Sequence, residues 1–364
     1  MKTQLAINAL NNYVLDSKVI ACIPYGSGHI NDTYLVVTET GKRYVFQRLN
    51  ASIFKNKVAV MENITKVTNY LKEQIEKNGG NPERETLNVI SSVEGLPYYE
   101  DESGFYRMYR FVEGAISKDQ VSSPDDFYES ALSFGNFQSM LAEFPAEELE
   151  ETIPDFHNTR KRFERFCQVV AEDKCGRAHQ VLKEIRFVLE HEWLASELCR
   201  LLEEGKLPLR VTHNDTKLNN IMLDEVTGKG ICVIDLDTVM PGLSVNDFGD
   251  SIRFGASTAA EDETDLSKVA CDMELFRVYT KGFLEGCKGR LTDEEVKALP
   301  LGAMTMTFEC GMRFLTDYLE GDVYFKIHRP EHNLDRCRTQ FALVEDMEKK
   351  RAEMDAIVAE LAHK

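Results

Sequence analysis

Residues 211–221 read VTHNDTKLNNI, and residues 231–237 read ICVIDLD. The first segment places His213, Asp215 and Asn220 at fixed offsets, and the second ends an apolar run with two aspartates. Transfer of a phosphoryl group from a nucleotide requires a carboxylate that orients the acceptor hydroxyl and oxygen ligands that hold Mg²⁺ on the phosphates. The two segments together contain this set of side chains and indicate phosphoryl-transfer chemistry.

Five polar residues of these segments have predicted roles. Asp215 is the candidate base, because a carboxylate can accept the proton of a hydroxyl, although aspartates are also common in turns. Asn220 is placed to present an amide oxygen to Mg²⁺, and Asp235 ends an apolar strand, where a charge is otherwise disfavoured. His213 is expected to brace the loop by hydrogen bonding. Asp237 is either a second metal ligand or a cap of the following turn.

The first part of the chain, up to about residue 115, is predicted to be a β-sheet with one helix. Apolar and β-branched runs predict strands at residues 19–24, 33–38, 43–49, 89–93, 98–99 and 106–112. Helical spacing of apolar residues predicts an amphipathic helix over 57–77. Glu62 on this helix is expected either to pair with a cation near the phosphates or to face solvent.

Glycines separate the first two predicted strands at Gly26, Ser27 and Gly28. Glycine lets backbone N–H groups approach a phosphate closely, although hairpin turns use glycine for their own geometry. This segment is therefore a candidate phosphate-binding turn.

The rest of the chain is predicted to be mostly helical. A helix is expected to begin at the cap formed by residues 123–126. Further helices are predicted at residues 159–172, 178–204, 264–283, 292–299, 305–319 and 339–361. We therefore predict an α+β fold with a small β-rich nucleotide-binding lobe at residues 1–113 and a larger catalytic lobe at 114–364. The nucleotide is expected between the lobes.

Composition narrows the partners and the compartment. The formal net charge of −18 argues against a nucleic-acid partner. The nine cysteines are scattered and odd in number, which is typical of reduced cytosolic thiols. A basic-then-apolar leader and an apolar run of the roughly 20 residues that a membrane helix needs are both absent. The chain is expected to be cytoplasmic, without a membrane partner, and monomeric.

The segment of residues 246–255, NDFGDSIRFG, contains the letters of a D-F-G metal motif. Asp247 lies twelve residues after Asp235, beyond the strand end, so a metal-ligand role is not expected for it. Asp247 and Asp250 are instead predicted to hold the catalytic loop through hydrogen bonds. Residues 309–325 are candidates for the wall of a polar pocket, with ordinary helix packing as the alternative.

The pattern H-x-D-x-x-x-x-N from His213 to Asn220, followed by I-D at residues 234–235, resembles the aminoglycoside phosphotransferase and choline kinase group, which has a protein-kinase-like fold. The resemblance is closer to the N-acetylhexosamine 1-kinases and spans essentially the whole chain. It is carried by residues 24–31, 49–54, 209–221, 247–257 and 309–325 in the same order.

The resemblance implies transfer of phosphate from ATP, with Mg²⁺, to the anomeric hydroxyl of N-acetylglucosamine or N-acetylgalactosamine. It implies that Asp215 is the base and that Asn220 and Asp235 are the metal ligands. Adenine would bind at the hinge residues Phe111, Val112 and Glu113. The sugar would contact His29, Phe254, Arg313 and Tyr324. The product, a sugar 1-phosphate, would enter nucleotide-sugar formation.

Two positions depart from the broader kinase pattern. The strand lysine of kinases would fall near Gln47, which can hydrogen-bond a phosphate but cannot neutralise it. Arg48 points to the opposite face of a regular strand. Asn214 stands where protein kinases carry arginine, so control by phosphorylation of an activation loop is not expected.

Two rival functions remain. One is a kinase of another small alcohol, such as choline, homoserine or an aminoglycoside. Cationic acceptors favour acidic or aromatic pockets, and Arg313 would repel them. The other is a nucleotide-binding pseudokinase, which the missing strand lysine supports and the combination of Asp215, Asn220 and Asp235 opposes.

Overall fold

The computed structural model describes residues 2–26, 31–50 and 54–362. It confirms the predicted α+β class. The chain forms two compact units, each built from several stretches. Unit 1 contains Met1–Ser117, Glu143–Pro154 and Ile221–Pro241, and unit 2 contains the remaining stretches from Lys118 to Lys364. The lobe boundary after residue 113 stays a prediction.

The described residues form ten β-strands and twelve α-helices. The strands are β1 Val19–Pro24, β2 Asp32–Thr38, β3 Arg43–Arg48, β4 Tyr99–Asp101, β5 Gly104–Arg110, β6 Ala115–Ile116, β7 Arg210–Thr212, β8 Ile221–Asp224, β9 Gly230–Val233 and β10 Met240–Gly242. The helices are α1 Lys2–Leu10, α2 Lys57–Lys77, α3 Pro82–Glu85, α4 Pro124–Met140, α5 Thr159–Glu172, α6 Leu182–Glu190, α7 Glu192–Glu203, α8 Ser244–Gly255, α9 Met273–Cys287, α10 Asp293–Glu320, α11 His332–Lys349 and α12 Arg351–Ala362. None of the described helices has the length and apolar character needed to span a membrane.

Unit 1 is organised around an antiparallel sheet in the order β1-β2-β3-β5-β4. Strands β3 and β5 are neighbours, and their register places Gln47 opposite Arg107. Residues 89–93 were predicted as a strand, but the structure shows only isolated bridges there, from Val89 to Tyr109 and from Ser92 to Tyr13. The sheet therefore has five strands rather than six.

Helix α2 agrees with the predicted bounds because its signals are local. Its N-cap Asn56 accepts a hydrogen bond from the Ala59 N–H, and its apolar face is buried. A second small sheet in unit 1 has the order β6-β8-β9, with Ile221 opposite Val233 at one end. In the chain, Asn220 directly precedes β8, and Asp235 follows β9 by two residues.

Unit 2 is centred on α10, which packs against α5, α7, α8, α11 and α12. Two predicted helices, at 292–299 and 305–319, are one continuous helix in the structure, with Pro300 inside it. Proline normally interrupts a helix because it lacks an N–H. Here the residues around it are buried on nearly all sides, and tertiary packing maintains the helix.

Other helix boundaries differ from the prediction as well. The helix predicted at 178–204 is broken at His191 into α6 and α7, and α9 begins nine residues later than the predicted start at 264. The helix predicted at 339–361 begins earlier, at His332, and is divided into α11 and α12. Residues 244–255, assigned no helix from the sequence, form α8.

Helices α8 and α10 touch through their backbones. A Cβ atom on Gly249 would overlap the carbonyl group of Gly302, and a Cβ on Gly302 would overlap the carbonyl group of Val245. Only glycine permits this approach, since any larger residue at either position would push the helices apart.

Candidate active site

The loop that follows β7 is held at its start by Asp247 of α8. The buried carboxylate accepts hydrogen bonds from the backbone N–H groups of His213 at 2.9 Å and Asn214 at 2.8 Å, and from Gln138 Nε2 at 2.9 Å. Burial raises the pKa of the Asp247 carboxyl, although these donors favour the charged form. Asn214 has a φ of 63°, so this anchor holds the chain in a left-handed conformation just before Asp215.

Asp215, the candidate base, is surrounded by groups from its own loop. Lys217 Nζ lies 2.7 Å from its carboxylate. Asn220 Nδ2 donates to the Asp215 carbonyl at 2.7 Å and to Oδ2 at 3.2 Å. The Asp215 N–H donates to His213 Nδ1 at 3.3 Å. The structure therefore brings together the three residues of the H-x-D-x-x-x-x-N pattern.

His213, which was predicted to brace the loop by hydrogen bonding, accepts one bond from the loop backbone. Its ring is buried and lies edge-on to Phe134 and Phe137, with centroid distances of 5.4 and 6.2 Å. An imidazole in such surroundings, with Nδ1 used by a backbone N–H, orients the loop and lies away from solvent. The side chain is therefore structural in this arrangement.

Further bonds from α8 fasten the middle of the loop. Thr216 Oγ1 donates to the Asp247 carbonyl at 2.5 Å, and Ser251 Oγ donates to the Thr216 carbonyl at 2.6 Å. Asp250 accepts two bonds from Arg253, at 3.1 and 2.9 Å. Burial alone would raise the pKa of Asp250, but Arg253 and Lys217 outweigh it and lower the pKa. A buried, ionised carboxylate thus lies near Lys217.

A second buried cluster supports the loop from α10. Glu309 accepts from Thr159 Oγ1 at 2.7 Å, lies 2.9 Å from His157 Nδ1 and pairs with Arg162 at 3.4 Å. His157 Nε2 lies 3.4 Å from the carbonyl oxygen of Asn214. Burial alone would raise the pKa of Glu309, but His157 and Arg162 outweigh it and lower the pKa to about 2.

This cluster predicts an acid-sensitive contribution to stability. Since the pKa of Glu309 falls from roughly 4.3 in the unfolded chain to about 2 in the folded protein, its contribution is complete above about pH 4.3. It is lost as the pH falls towards 2. We expect Glu309→Gln to lower the free energy of unfolding at pH 7 by about 3 kcal/mol, and this difference from wild type to shrink by pH 3.

Urea unfolding of both proteins across this pH range measures the difference. The exposed Glu94 provides the control, and Glu94→Gln should show no such pH dependence. An equal difference for Glu309→Gln at pH 7 and pH 3 would contradict the assignment of a depressed pKa.

An arginine with aromatic neighbours lies one helical turn beyond Glu309. The Arg313 guanidinium lies 5.9 Å from the ring centroids of Phe156 and Tyr324 and 5.4 Å from that of Phe325. Among the described residues, it forms no hydrogen bond and no salt bridge. The carboxylate of Asp317 accepts the backbone N–H groups of residues 323–325 at 2.7 to 2.9 Å, which holds the aromatic segment in place.

Of the predicted sugar-binding residues, the structure brings Arg313 and Tyr324 together. Tyr324 is 68% exposed, and Phe254, near the end of α8, is 38% exposed. In the part of the chain that the structure describes, Phe254 contacts neither of them through its ring. His29 lies outside the described residues, as do Ser27 and Gly28 of the candidate phosphate-binding turn. Gly26 is described and has a φ of 82°.

In unit 1, Gln47 belongs to a buried network that the sequence did not reveal. Its Oε1 accepts a hydrogen bond from Arg107 Nε at 2.9 Å, and its Nε2 donates to Thr33 Oγ1 at 3.1 Å. Arg107 is 1% exposed and forms a salt bridge with Asp237. The other oxygen of Asp237 accepts from Asn31 Nδ2 at 2.9 Å. Both carboxylate oxygens of Asp237 are therefore used within the protein.

The carboxylates of Asp237 and Asp235 stabilise the positive charge of Arg107. Burial alone would lower the pKa of its guanidinium, but Asp237 and, more weakly, Asp235 outweigh burial and raise the pKa. Asp235 has a φ of 58° at the start of a short 3₁₀ turn, Leu236–Thr238. This left-handed conformation is uncommon for a residue other than glycine and is maintained by its surroundings.

Among the described residues, Glu62 forms no hydrogen bond or salt bridge with Gln47 or Arg107. It is exposed on α2 and forms no ion pair among the described residues. The buried polar residue of this helix is the next one, Asn63, whose Nδ2 donates to the carbonyl groups of Val239 at 3.0 Å and Glu150 at 2.8 Å. Neighbouring residues of a helix point in different directions, and on α2 the side chain of residue 63, not that of residue 62, lies on the buried face.

The predicted hinge, residues 111–113, directly follows β5. Phe111 is buried, and its N–H donates to the Arg43 carbonyl at 3.1 Å. The Arg43 guanidinium lies 4.2 Å from the Phe111 ring centroid and pairs with Glu113. Within the described residues, neither the N–H nor the carbonyl of Val112 has a hydrogen-bond partner. These two groups match the donor and acceptor that an adenine ring requires.

The side chains predicted to hold Mg²⁺ have suitable chemistry. Among the described residues, no group of three or more His, Cys, Asp or Glu side chains can hold a metal ion. Mg²⁺ at phosphotransfer sites needs fewer protein ligands, since one or two carboxylates or amides act with phosphate oxygens. The amide oxygen of Asn220 has no protein partner in the described chain, because its nitrogen is the atom bound to Asp215.

Three side chains of the site had weak or no sequence signals. Lys217 lies inside the quoted loop, and its charge beside Asp215 was readable but unassigned. Arg107 interrupts the apolar and aromatic run of β5, which is a signal for a buried charge. His157 has no distinguishing local pattern, and only the tertiary contact with Glu309 identifies it.

Known structures share this fold. An aminoglycoside phosphotransferase from Alicyclobacillus acidocaldarius aligns with a TM-score of 0.62 and 14% identity, over 98% of this chain and 96% of that chain. A choline kinase from Cryptosporidium parvum Iowa II aligns with a TM-score of 0.58 and 14% identity, over 97% of both chains. An amicoumacin kinase in complex with AMP-PNP and Ca²⁺ aligns with a TM-score of 0.58 and 13% identity, over 95% of this chain and 93% of that chain.

At these identities the likeness shows a protein-kinase-like fold and leaves the acceptor open. The comparison with a protein-family model identifies the family of the chain. The model of the phosphotransferase enzyme family APH matches residues 21–270, which is more than half of the chain and includes Asp215, Asn220 and Asp235. The chain therefore belongs to the APH phosphotransferase enzyme family.

Proposed function

We propose that the protein transfers the γ-phosphoryl group of ATP to the anomeric hydroxyl of an N-acetylhexosamine, N-acetylglucosamine or N-acetylgalactosamine. Membership in a phosphotransferase family supports the reaction type. The observation that carries the acceptor class is Arg313, a guanidinium with aromatic neighbours that forms no salt bridge among the described residues. The resemblance described above supports the particular sugar.

Asp215 acts as the base in this proposal. One carboxylate oxygen accepts the proton of the acceptor hydroxyl. The hydroxyl oxygen attacks the γ-phosphorus in line with the leaving ADP, whose bond to the γ-phosphorus breaks. Lys217, 2.7 Å from the carboxylate, restricts its rotamers and keeps a positive charge beside it. Burial alone would lower the pKa of Lys217, but Asp215 and Asp250 outweigh burial and raise the pKa. The ammonium group therefore stays charged during the reaction.

Asn220 and Asp235 are the proposed ligands of Mg²⁺. When bound, Mg²⁺ supplies neutralising charge to the phosphate oxygens. Asn220 is oriented for this role by its two hydrogen bonds to Asp215, which also couple the ligand to the base. The adenine is proposed to pair with the Val112 backbone, beside the buried ring of Phe111.

The surroundings of Arg313 distinguish neutral from cationic acceptors. Choline, ethanolamine and aminoglycosides carry positive charge, which the nearby guanidinium of Arg313 repels. The acetamido oxygen and hydroxyl groups of a neutral sugar can accept hydrogen bonds from it, and aromatic rings pack against the apolar face of a pyranose.

An acceptor screen tests the proposal. We expect ADP release with N-acetylglucosamine or N-acetylgalactosamine, a 1-phosphate product by ³¹P NMR, and no turnover with choline, homoserine or aminoglycosides. Arg313→Met should raise the KM for the sugar about 10- to 100-fold, the value of one or two charge-assisted hydrogen bonds. Turnover of choline without turnover of hexosamines would refute the proposed acceptor.

The control for this substitution is Arg165→Met. Arg165 pairs with Glu320 on the surface and has no place in the proposed pocket. Its replacement should leave the KM for the sugar unchanged. If Arg313→Met and Arg165→Met behave alike, Arg313 does not contact the acceptor.

A further inference from the structure

A network of four polar residues, with two buried and two half-buried members, lies in unit 1, and we refer to it as the Arg107 network. It consists of Arg107 on β5, Gln47 on β3, Asp237 after β9 and Asn31 before β2. Arg107 and Asp237 are 1% and 6% exposed. Each atom pair in the network is complementary, since the guanidinium faces an amide oxygen and a carboxylate, and the remaining carboxylate oxygen faces an amide nitrogen.

The network connects the centre of the sheet to the segment that carries Asp235. Strands β3 and β5 are neighbours in the sheet, and the register sets Gln47 directly across from Arg107. Asp237 is two residues from Asp235, so its salt bridge to Arg107 determines where that short segment lies. On the other side, Asn63 of α2 donates to the carbonyl of Val239 at 3.0 Å. Two buried side chains therefore hold residues 235–239.

This arrangement is better explained by the positioning of the segment that carries Asp235 than by a contribution to the stability of the core. Replacing a buried ion pair by apolar residues is often neutral or favourable for stability, so a retained pair points to a positional role. Asp235 has a left-handed backbone conformation, with φ of 58°, which persists only where neighbouring contacts enforce it. Asp237, with both oxygens occupied, cannot serve as a second ligand without breaking the network.

We propose that Arg107 is a positioning residue that acts through Asp237 to hold Asp235 in the geometry that binds the metal–nucleotide complex. This inference rests on the proposed function in assigning Asp235 as a metal ligand. It also explains how the sheet functions with a neutral Gln47, because the cation comes from the adjacent strand and reaches the ligand segment instead of the phosphate. Arg107 itself is too deeply buried to touch the nucleotide.

Two variants test the proposal. Arg107→Lys keeps a charge but cannot bond Gln47 and Asp237 together, because it lacks the planar fork of donors. The double variant Arg107→Met with Asp237→Leu leaves no member of the ion pair buried alone, so it is expected to fold. The readout is the Kd of Mn²⁺ in the presence of AMP-PNP, measured by electron paramagnetic resonance, which requires no acceptor and no turnover.

We expect the Kd of Mn²⁺ to rise at least tenfold in both variants, and the Mg²⁺ concentration for half-maximal activity to rise in parallel, with the KM for the acceptor unchanged. The matched control is Arg48→Lys, since Arg48 pairs with Asp32 at 3.6 Å between strands of the same sheet. That variant should bind Mn²⁺ like wild type.

Wild-type Mn²⁺ affinity in the folded double variant would overturn the proposal and leave Arg107 a structural residue. An equal loss in Arg48→Lys would overturn it as well, because the effect would then be general to the sheet. The proposed function fails on different evidence, namely the absence of hexosamine turnover by the wild-type protein. Mn²⁺ binding with AMP-PNP remains measurable in that case, so the two failures are distinguishable.

Discussion

Asp215→Asn is expected to lower kcat by about 10²- to 10⁴-fold, the usual contribution of a positioned general base. An amide has the shape of the carboxylate but cannot take the proton of the acceptor hydroxyl. The bond from Asn220 Nδ2 to the Asp215 carbonyl, at 2.7 Å, involves the backbone and survives the substitution. The loop is further held by Asp247. The KM for ATP should therefore change little.

Steady-state kinetics with the preferred acceptor, together with circular dichroism and nucleotide binding, measure this effect. Asp119→Asn, at an exposed aspartate outside the site, is the matched control and should retain wild-type kcat. If folded Asp215→Asn turns over at a near-normal rate, the base lies elsewhere, and Asp215 has only a positional role.

Asp235→Asn is expected to lower kcat/KM by roughly 10²- to 10³-fold, the size of effect found when one charge-stabilising group is removed from an active site. An amide oxygen is a weaker Mg²⁺ ligand than a carboxylate, so half-maximal activity should require more Mg²⁺. Asparagine tolerates the left-handed region almost as well as any residue except glycine, and the φ of 58° therefore remains accessible. The loss should not reflect unfolding.

The chain offers a control for the backbone conformation as well. Asp173 caps α5 in the left-handed region with a φ of 38°, and it is far along the sequence from the candidate ligands. Asp173→Asn should keep both wild-type activity and wild-type Mg²⁺ dependence. An Asp235→Asn variant with unaltered Mg²⁺ dependence would remove Asp235 from the ligand set.

Local patterns predicted those elements whose determinants are close in sequence. Strand β1 and helix α2 have the predicted bounds, since alternation, helical periodicity and the Asn56 cap act within a few residues. Helix α10 was misread because Pro300 is a local breaker, while the packing that overrides it comes from five other helices. Residues 244–255 were assigned no helix because two glycines and several Ser, Asn and Asp residues lower their helix propensity, whereas burial of the segment in unit 2 stabilises the helix.

The residues of the candidate site differ in the same way: some are identified by local sequence and others only by tertiary contacts. His213, Asp215 and Asn220 fall within eight residues of one another, and the sequence was enough to group them. Asp247 was assigned as a loop anchor, and the structure shows the two backbone bonds. The role of Arg107 was not predicted, because it depends on which residue of β3 lies opposite it in the sheet.

Other roles depend on a bound ligand and stay predictions. At the predicted hinge, residues 111–113, the backbone groups of Val112 are available for a nucleotide base. Glu62 was predicted either to pair with a cation or to face solvent, and it is exposed, whereas the next residue, Asn63, is buried. The sugar preference rests on the resemblance and stays a prediction.

The glycine contact between α8 and α10 has an evolutionary consequence. Helix α8 carries Asp247, which anchors the catalytic loop, and α10 carries Arg313, which faces the proposed acceptor. Since the two backbones touch at Gly249 and Gly302, any larger side chain at either position would shift the two helices together with the residues they carry. We therefore expect sequence change among related chains to be excluded at these two glycines and tolerated in residues 321–331, the connection between α10 and α11.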